Sequence, residues 1–279
     1  MTYRRQVVDE CRLLASSQLT VFYVEIGEIW EDDYKFETAL RLLPFKQQTR
    51  VISKRFSQDA RTALANQLLQ RFVCCALLDT TPDLLSFTSN EYGKPQLEGC
   101  GFQFSMSNQQ GYTSMVVSRA QCGIDLANCN DVDKFGTGYL AHFRDIFHPD
   151  EYEALEALAD DEQTKNRFTH YWALKESYTK LLGVGLNGDL KSYNFSNVNT
   201  LRCDDTVEAH DTFQRRTEPL WDSSTTLAIG RVDEDISIYS TMLNKEIVVS
   251  ACTLDHLTET PTLVHVKLED IVKFLSHNK

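Results

Sequence analysis

Glycine and proline are scarce in this 279-residue sequence, at 12 and 6 residues, which excludes collagen-like and low-complexity chains. No apolar run approaches the roughly twenty residues that a membrane-crossing helix needs. The opening stretch MTYRRQVVDECRLLASS carries acids and no uninterrupted apolar core, so neither a secretory signal nor a membrane anchor is expected there. The cytosol is the expected address. Among the eight cysteines there is no C-x-x-C pair and no histidine at zinc-ligand spacing, so reduced thiols are expected rather than a zinc site or a disulfide framework. Positive charge is also in short supply: 28 Lys plus Arg stand against 40 Asp plus Glu, a net charge of -12. That balance argues against a nucleic-acid coat and against an anionic-membrane binder. Any polyanionic ligand must meet a local basic patch.

What remains is the composition of an ordinary globular protein, with 42% hydrophobic and 24% charged residues. The length exceeds one comfortable hydrophobic core, which favours two lobes. Residues 19–26 (LTVFYVEI) are β-branched and aromatic enough for a strand. Residues 60–78 repeat Leu64, Leu68, Phe72 and Cys75 at helical spacing, and the vicinal Cys74 and Cys75 are expected in the core. Three short strands, 102–107, 113–117 and 122–126, read as a meander. Pro149 with Asp150 and Glu151 opens a helix, a second helix runs from about Asn166 to Leu182, and Gly183 and Gly185 end it. Strands are expected at 227–232, 236–240, 246–252 and 262–267, with a closing helix over 269–276. Each half pairs helix with short strands, so the expected fold class is α+β, with two similar lobes over 1–128 and 129–279. The polar stretch 200–224 reads as a surface loop.

Trp172, Glu176 and Lys180 fall at i, i+4 and i+8 of the second helix and stack on one face. The Glu-then-Lys order is that of an ordinary surface ion pair. A lysine near a helix end can equally reach a phosphate, and an upstream glutamate can hold Mg²⁺ or accept a proton. Asp125, near the end of the strand CGIDL, is a turn former when alone, but with Glu176 it makes a sufficient carboxylate set for Mg²⁺. Lys94 sits in the turn NEYGKPQ between Gly93 and Pro95, and Ser107 and Asn108 end a strand with small polar groups. Each of these is bland by itself.

In this order the segments 91–95 (EYGKP), 104–108 (FSMSN), 123–127 (GIDLA) and 172–180 (WALKESYTK), the last continued by GVGL, resemble the Sfp-type 4'-phosphopantetheinyl transferases. The resemblance covers about residues 45–195 and is to the eukaryotic branch. It implies two pseudo-symmetric α+β lobes with coenzyme A and Mg²⁺ in the cleft between them. The reaction it implies moves phosphopantetheine from coenzyme A to a serine of an apo carrier-protein domain, with α-aminoadipate reductase of lysine biosynthesis as the carrier served. Carried over, Asp125 and Glu176 ligate Mg²⁺, with Glu151 as a further acid at the metal. Lys180 meets the coenzyme A pyrophosphate, Lys94 and Ser107 the nucleotide part, and Asn108 and Lys175 complete the coenzyme A-binding set. Arg50 and Arg61 match the cations for the adenosine 3'-phosphate. Glu176 is then the general base, and Asp125 and Lys180 complete the catalytic set. A monomer is expected, with no nucleic-acid or membrane partner.

Two positions depart from the family pattern. Ala127 replaces the second acid of the Asp-x-Glu strand, which removes one metal ligand. Asn108 replaces histidine after Ser107, and an amide carries no positive charge. A coenzyme A or carrier-binding module that has lost turnover through these two changes is the alternative reading, and an acidic interaction protein is a third.

Overall fold

The central helix of the first half is hydrophobic nearly all round its C-terminal turns, where Leu68, Leu69, Phe72, Val73, Cys74, Cys75 and Ala76 are all buried. Such a helix needs partners on several sides. It has them because the chain folds back on it from both ends. The computed structural model describes residues 3–27, 30, 32–203, 208–209, 213–216 and 221–277. In chain order the elements are α1 (Tyr3–Leu14), β1 (Leu19–Glu25), α2 (Asp33–Leu40), α3 (Phe45–Ile52), α4 (Ser57–Leu78), β2 (Phe87–Ser89), β3 (Pro95–Leu97), β4 (Gln103–Gln109), β5 (Tyr112–Ser118) and β6 (Cys122–Asn128). There follow α5 (Pro149–Glu156), α6 (Asp161–Leu182), β7 (Tyr193–Ser196), β8 (Glu208–Ala209), β9 (Phe213–Arg215), β10 (Thr226–Ile229), β11 (Val232–Asp233), β12 (Ser237–Met242), β13 (Ile247–Thr253), β14 (Thr262–Val266) and α7 (Leu268–Ser276). The architecture is mixed α+β, built on a six-stranded sheet ordered β4-β5-β1-β14-β9-β8 and three smaller sheets.

α4 lies on the six-stranded sheet and shares a core with Phe22 and Val24 of β1, Met115 and Val117 of β5, and Val264 and Val266 of β14. α7 covers it, with Phe274 set edge-on to Phe72 at 5.1 Å. The second helical scaffold is α6. Asp160 caps its start by accepting from Gln163 N at 2.8 Å, and Gly183 ends it in the left-handed region at φ 71°. The helix begins five residues before the expected Asn166 because its first turn is polar and carries no apolar period. α6 packs along the sheet β12-β13-β6, where Ser177 Oγ meets Ser250 Oγ at 3.1 Å.

Three expectations of local structure, at 122–126, 227–232 and 200–224, require correction. β4 and β5 form a hairpin, but β6 leaves the meander and pairs antiparallel with β13, with Asp125 opposite Ser250. Strand pairing also joins distant parts of the chain: β6 pairs with β13, and β14 returns from the far end of the chain to pair parallel with β1. The strand expected over 227–232 is a hairpin of β10 and β11 turned at Gly230. Within 200–224, β9 adds to the edge of β14 and Trp221 Nε1 donates to Pro261 O at 2.9 Å, so these parts are structural rather than plain loop. Residues 204–207, 210–212 and 217–220 of that stretch lie outside the described residues. All eight cysteines are free thiols, and Cys74 and Cys75 are buried as expected. Among the described residues no helix is long and apolar enough to cross a membrane.

Candidate active site

The site starts from a glycine. A Cβ on Gly123 would stand 2.0 Å from the Ser177 carbonyl oxygen and 2.5 Å from Leu181 N, so only glycine lets α6 lie this close to β6. Two residues along the strand, on the same face, Asp125 therefore meets α6 one turn from its end. Lys180 Nζ donates to Asp125 Oδ1 at 2.6 Å and to Ser107 Oγ at 2.9 Å. The Ser107 hydroxyl donates to the same Asp125 oxygen at 2.9 Å and accepts from Leu126 N at 3.1 Å. Its one proton and both lone pairs are thus occupied, and Ser107 orients Asp125 and Lys180. Glu176 lies one turn before Lys180. Burial pushes its carboxyl above the usual carboxylate range, the Asp125 carboxylate pushes further the same way, and Lys180 partly offsets both.

These groups line one cavity of about 670 Å³ between β4, β6 and α6. One wall is aromatic, made by Phe135, Phe143, Phe168 and Trp172. The other is polar and runs from Asn108 to Lys180. Asn108 Oδ1 accepts from Asn66 Nδ2 of α4 at 3.0 Å, which ties the rim to the first half of the chain. At the far rim Asp131 accepts from Gln109 and from Lys134, and from Gln110 Nε2 at 3.0 Å. Gln109, Asn128, Asp131 and Lys134 line the cavity and were not singled out from the sequence. The Asp131 to Lys134 spacing directly after the Asp125 strand was the available signal.

Other expected residues are placed elsewhere. Glu151 and Lys175 form a fully buried ion pair, Oε2 to Nζ 2.7 Å, with side chains 0% and 1% exposed. Lys175 Nζ also donates to Leu190 O and Tyr193 O, at 2.8 and 2.7 Å. Glu151 accepts from His148 N and Phe195 N, both at 2.9 Å. Burial raises the Glu151 carboxyl and lowers the Lys175 ammonium, each opposed by its partner. With its partners so used, Glu151 has no place at a metal beside Asp125, and Lys175 faces away from the cavity. The reason is helical phase: Lys175 precedes Glu176 by one residue and so points about 100° away. Lys94 donates to Cys122 O and Leu181 O, at 3.0 and 3.2 Å, while Asn90 Nδ2 donates to Gly183 O at 2.8 Å. The NEYGKPQ turn thus fastens the end of α6 to the start of β6. Arg50 on α3 and Arg61 on α4 do not line the cavity.

Among the described residues no three His, Cys, Asp or Glu side chains converge as a metal site. Asp125 and Glu176 do share the cavity, and two hard carboxylates suit Mg²⁺, which completes its shell with water and substrate phosphate oxygens. Ala127 adds no donor; it clusters with Ala173, Met242 and Val248. The cavity thus sets two carboxylates and a lysine against an aromatic wall.

Residues 29–120 match the family described as 4'-phosphopantetheinyl transferase, N-terminal, and residues 121–232 match the 4'-phosphopantetheinyl transferase superfamily. The chain is 43% identical over 171 residues to the L-aminoadipate-semialdehyde dehydrogenase-phosphopantetheinyl transferase of Candida glabrata, covering 60% of this chain and 65% of that one. It is 34% identical over 210 residues to the protein of the same name from Saccharomyces cerevisiae, covering 71% and 75%. Similarity extends to a 4'-phosphopantetheinyl transferase of Bacillus subtilis, 31% identical over 137 residues, 49% and 58% of the two chains. The chain thus matches 65% and 75% of the length of these two fungal relatives, and it belongs to the 4'-phosphopantetheinyl transferase superfamily.

Proposed function

We propose that this chain transfers 4'-phosphopantetheine from coenzyme A to a serine of an apo carrier-protein domain, releasing 3',5'-bisphosphoadenosine. The carrier it serves is α-aminoadipate reductase, as the names of the fungal relatives suggest. The observation that carries the reading is the convergence of Asp125, Glu176 and Lys180 in one cavity.

In this reading the serine oxygen attacks the β-phosphorus of coenzyme A, the pyrophosphate P–O bond breaks, and bisphosphoadenosine leaves with the electron pair. The step demands charge neutralisation on the pyrophosphate more than a strong nucleophile. Lys180, held by Asp125 and Ser107, supplies a fixed positive charge there. Glu176, one helical turn from Lys180 in the same cavity, takes the serine proton. The aromatic wall shields the pantetheine arm from water. Asp125 and Glu176 would hold Mg²⁺, which when bound adds charge neutralisation on the same phosphates. Two pseudo-symmetric lobes closing on the cavity, a monomer and a cytoplasmic location complete the proposal.

The test is transfer of a fluorescent phosphopantetheine from a coenzyme A conjugate to an apo carrier domain, with and without Mg²⁺. Labelling should require Mg²⁺ and should slow by about 10²–10⁴-fold in Glu176→Ala, the range for loss of a general base. Coenzyme A binding without labelling of any carrier would refute the transferase reading in favour of a binding module.

A further inference from the structure

β4 and β5 set Asn108 directly opposite Thr113, so the two side chains share one face of the hairpin. α4 packs on that face, and its Asn66 bridges the pair. The Thr113 hydroxyl donates to Asn66 Oδ1, and Asn66 Nδ2 donates to Asn108 Oδ1 at 3.0 Å. Asn66 is the one asparagine of α4, and Leu64, Ala65, Leu68 and Leu69 around it are buried. On propensity alone asparagine is a poor residue for a helix interior, because its side chain competes with the backbone for hydrogen bonds.

An asparagine amide has a donor end and an acceptor end of nearly equal shape, so its partners alone decide which way it points. Thr113 is 0% exposed, and its hydroxyl has Asn66 as its one partner among the described residues. Turning the Asn66 amide round would make that hydroxyl an acceptor and leave its proton buried and unpaired, which is the costlier state. Asn66 Oδ1 therefore faces Thr113, and Nδ2 faces Asn108. Asn108 must then turn its carbonyl to Asn66, which leaves Asn108 Nδ2 as the free end at the cavity rim. The cavity already holds the carboxyl groups of Asp125 and Glu176. An amide oxygen facing inward would add to their repulsion of a phosphate, whereas an N–H opposes it.

We propose that Asn66 and Thr113 are positioning residues for coenzyme A, fixing the polarity of the Asn108 amide so that a donor and not an acceptor meets the phosphates. The inference rests on the transferase reading for the ligand's identity. Neither Asn66 nor Thr113 lines the cavity, and both act through Asn108. The relay makes a neutral side chain at position 108 serve an anionic ligand, since an amide helps or hinders an anion according to the end it shows.

The experiment uses the full chain, with coenzyme A binding read by titration calorimetry and its KM by the transfer assay. Asn66→Asp offers acceptors only, which turns the Asn108 amide round. The coenzyme A Kd and KM should rise at least about tenfold, with the carrier KM unchanged. In an Asn108→Ala background the same substitution should cost less than about twofold, which separates amide polarity from the added charge. Thr113→Val keeps the side-chain shape and lets the relay point either way, so the competent fraction should fall to about half and the Kd should rise about twofold. Combining Asn66→Asp with Asn108→His should recover binding, because the carboxylate then holds an imidazolium whose second N–H faces the phosphates. An unchanged coenzyme A Kd in Asn66→Asp or Thr113→Val, an equal loss in the Asn108→Ala background, or wild-type failure to bind coenzyme A overturns the proposal. Coenzyme A binding that depends on Asn66, without transfer to any carrier, would leave the relay standing and refute the transferase reading instead.

Discussion

Replacing Lys175 by methionine separates two accounts of Glu151, as a metal ligand and as half of a buried structural pair. The substitution removes an ammonium that makes three contacts of 2.7–2.8 Å, to Glu151, Leu190 O and Tyr193 O. It leaves the Glu151 carboxylate buried with only the amides of His148 and Phe195. Breaking one side of a buried pair costs about 3–5 kcal/mol. For 279 residues the unfolding entropy is about 0.6 kcal/mol per kelvin, so the melting temperature should fall by about 5–9 °C. A second substitution, Glu151→Met, should recover part of the loss, since it removes the uncompensated charge. The pH dependence has a definite sign. Burial already holds the Glu151 carboxyl above its unfolded value with Lys175 present, and losing Lys175 raises it further. A raised folded-state value means that the folded protein binds the proton more tightly. The variant's deficit should therefore be smallest in acid and grow as pH rises through the raised value. Thermal unfolding followed by circular dichroism between about pH 5 and 8 reads this. An unchanged melting temperature, with a changed Mg²⁺ requirement for transfer, would refute the structural account and return Glu151 to the metal.

Three further outcomes follow from the same geometry. Glu176→Gln should slow transfer by about 10²–10⁴-fold yet raise the melting temperature of the metal-free protein by about 1–3 °C. The raised Glu176 carboxyl makes its charged form unfavourable, so this gain should be present near neutrality and vanish as pH falls through the raised value; a loss of stability would contradict the assignment. Gly123→Ala places a methyl 2.0 Å from a backbone oxygen of α6, and should cost about 3 kcal/mol or more together with activity, as measured by denaturant unfolding. Lys94→Met removes donors from Cys122 O and Leu181 O and should cost about 1–3 kcal/mol without changing KM for coenzyme A; a raised KM with intact stability would place Lys94 at the nucleotide.

Much of this protein was legible in its residues. The strands at 19–26 and 262–267, the helix over 60–78 and the helix bearing Trp172, Glu176 and Lys180 all follow from apolar period and terminal signals. Those three side chains share a face whatever the helix packs against, so the i, i+4, i+8 reading carried into the cavity unchanged. The family was legible too, because its motifs are contiguous in the chain. Less visible were α1, α2 and α3, helices of 12, 8 and 8 residues that bury only Val7, Val8 and Cys11, Ala39 and Leu40, and Val51.

Contacts between distant segments were out of reach, since no local pattern states which element lies opposite. The pairing of β14 with β1 spans nearly the whole chain, and β6 pairs with β13, more than a hundred residues on, while Gly123 admits α6 against it. The same limit governs the charged side chains. Sequence supplied Lys94, Glu151, Lys175 and Lys180 as candidate ligands, with Lys180 alone of the four in the catalytic set. Tertiary structure divided them by what each could reach: Lys180 found a carboxylate and a cavity, Lys94 found backbone carbonyls, and Lys175 and Glu151 found each other. A residue's identity fixes which bonds it can form, and only the packed chain fixes which partner lies within three ångströms of it.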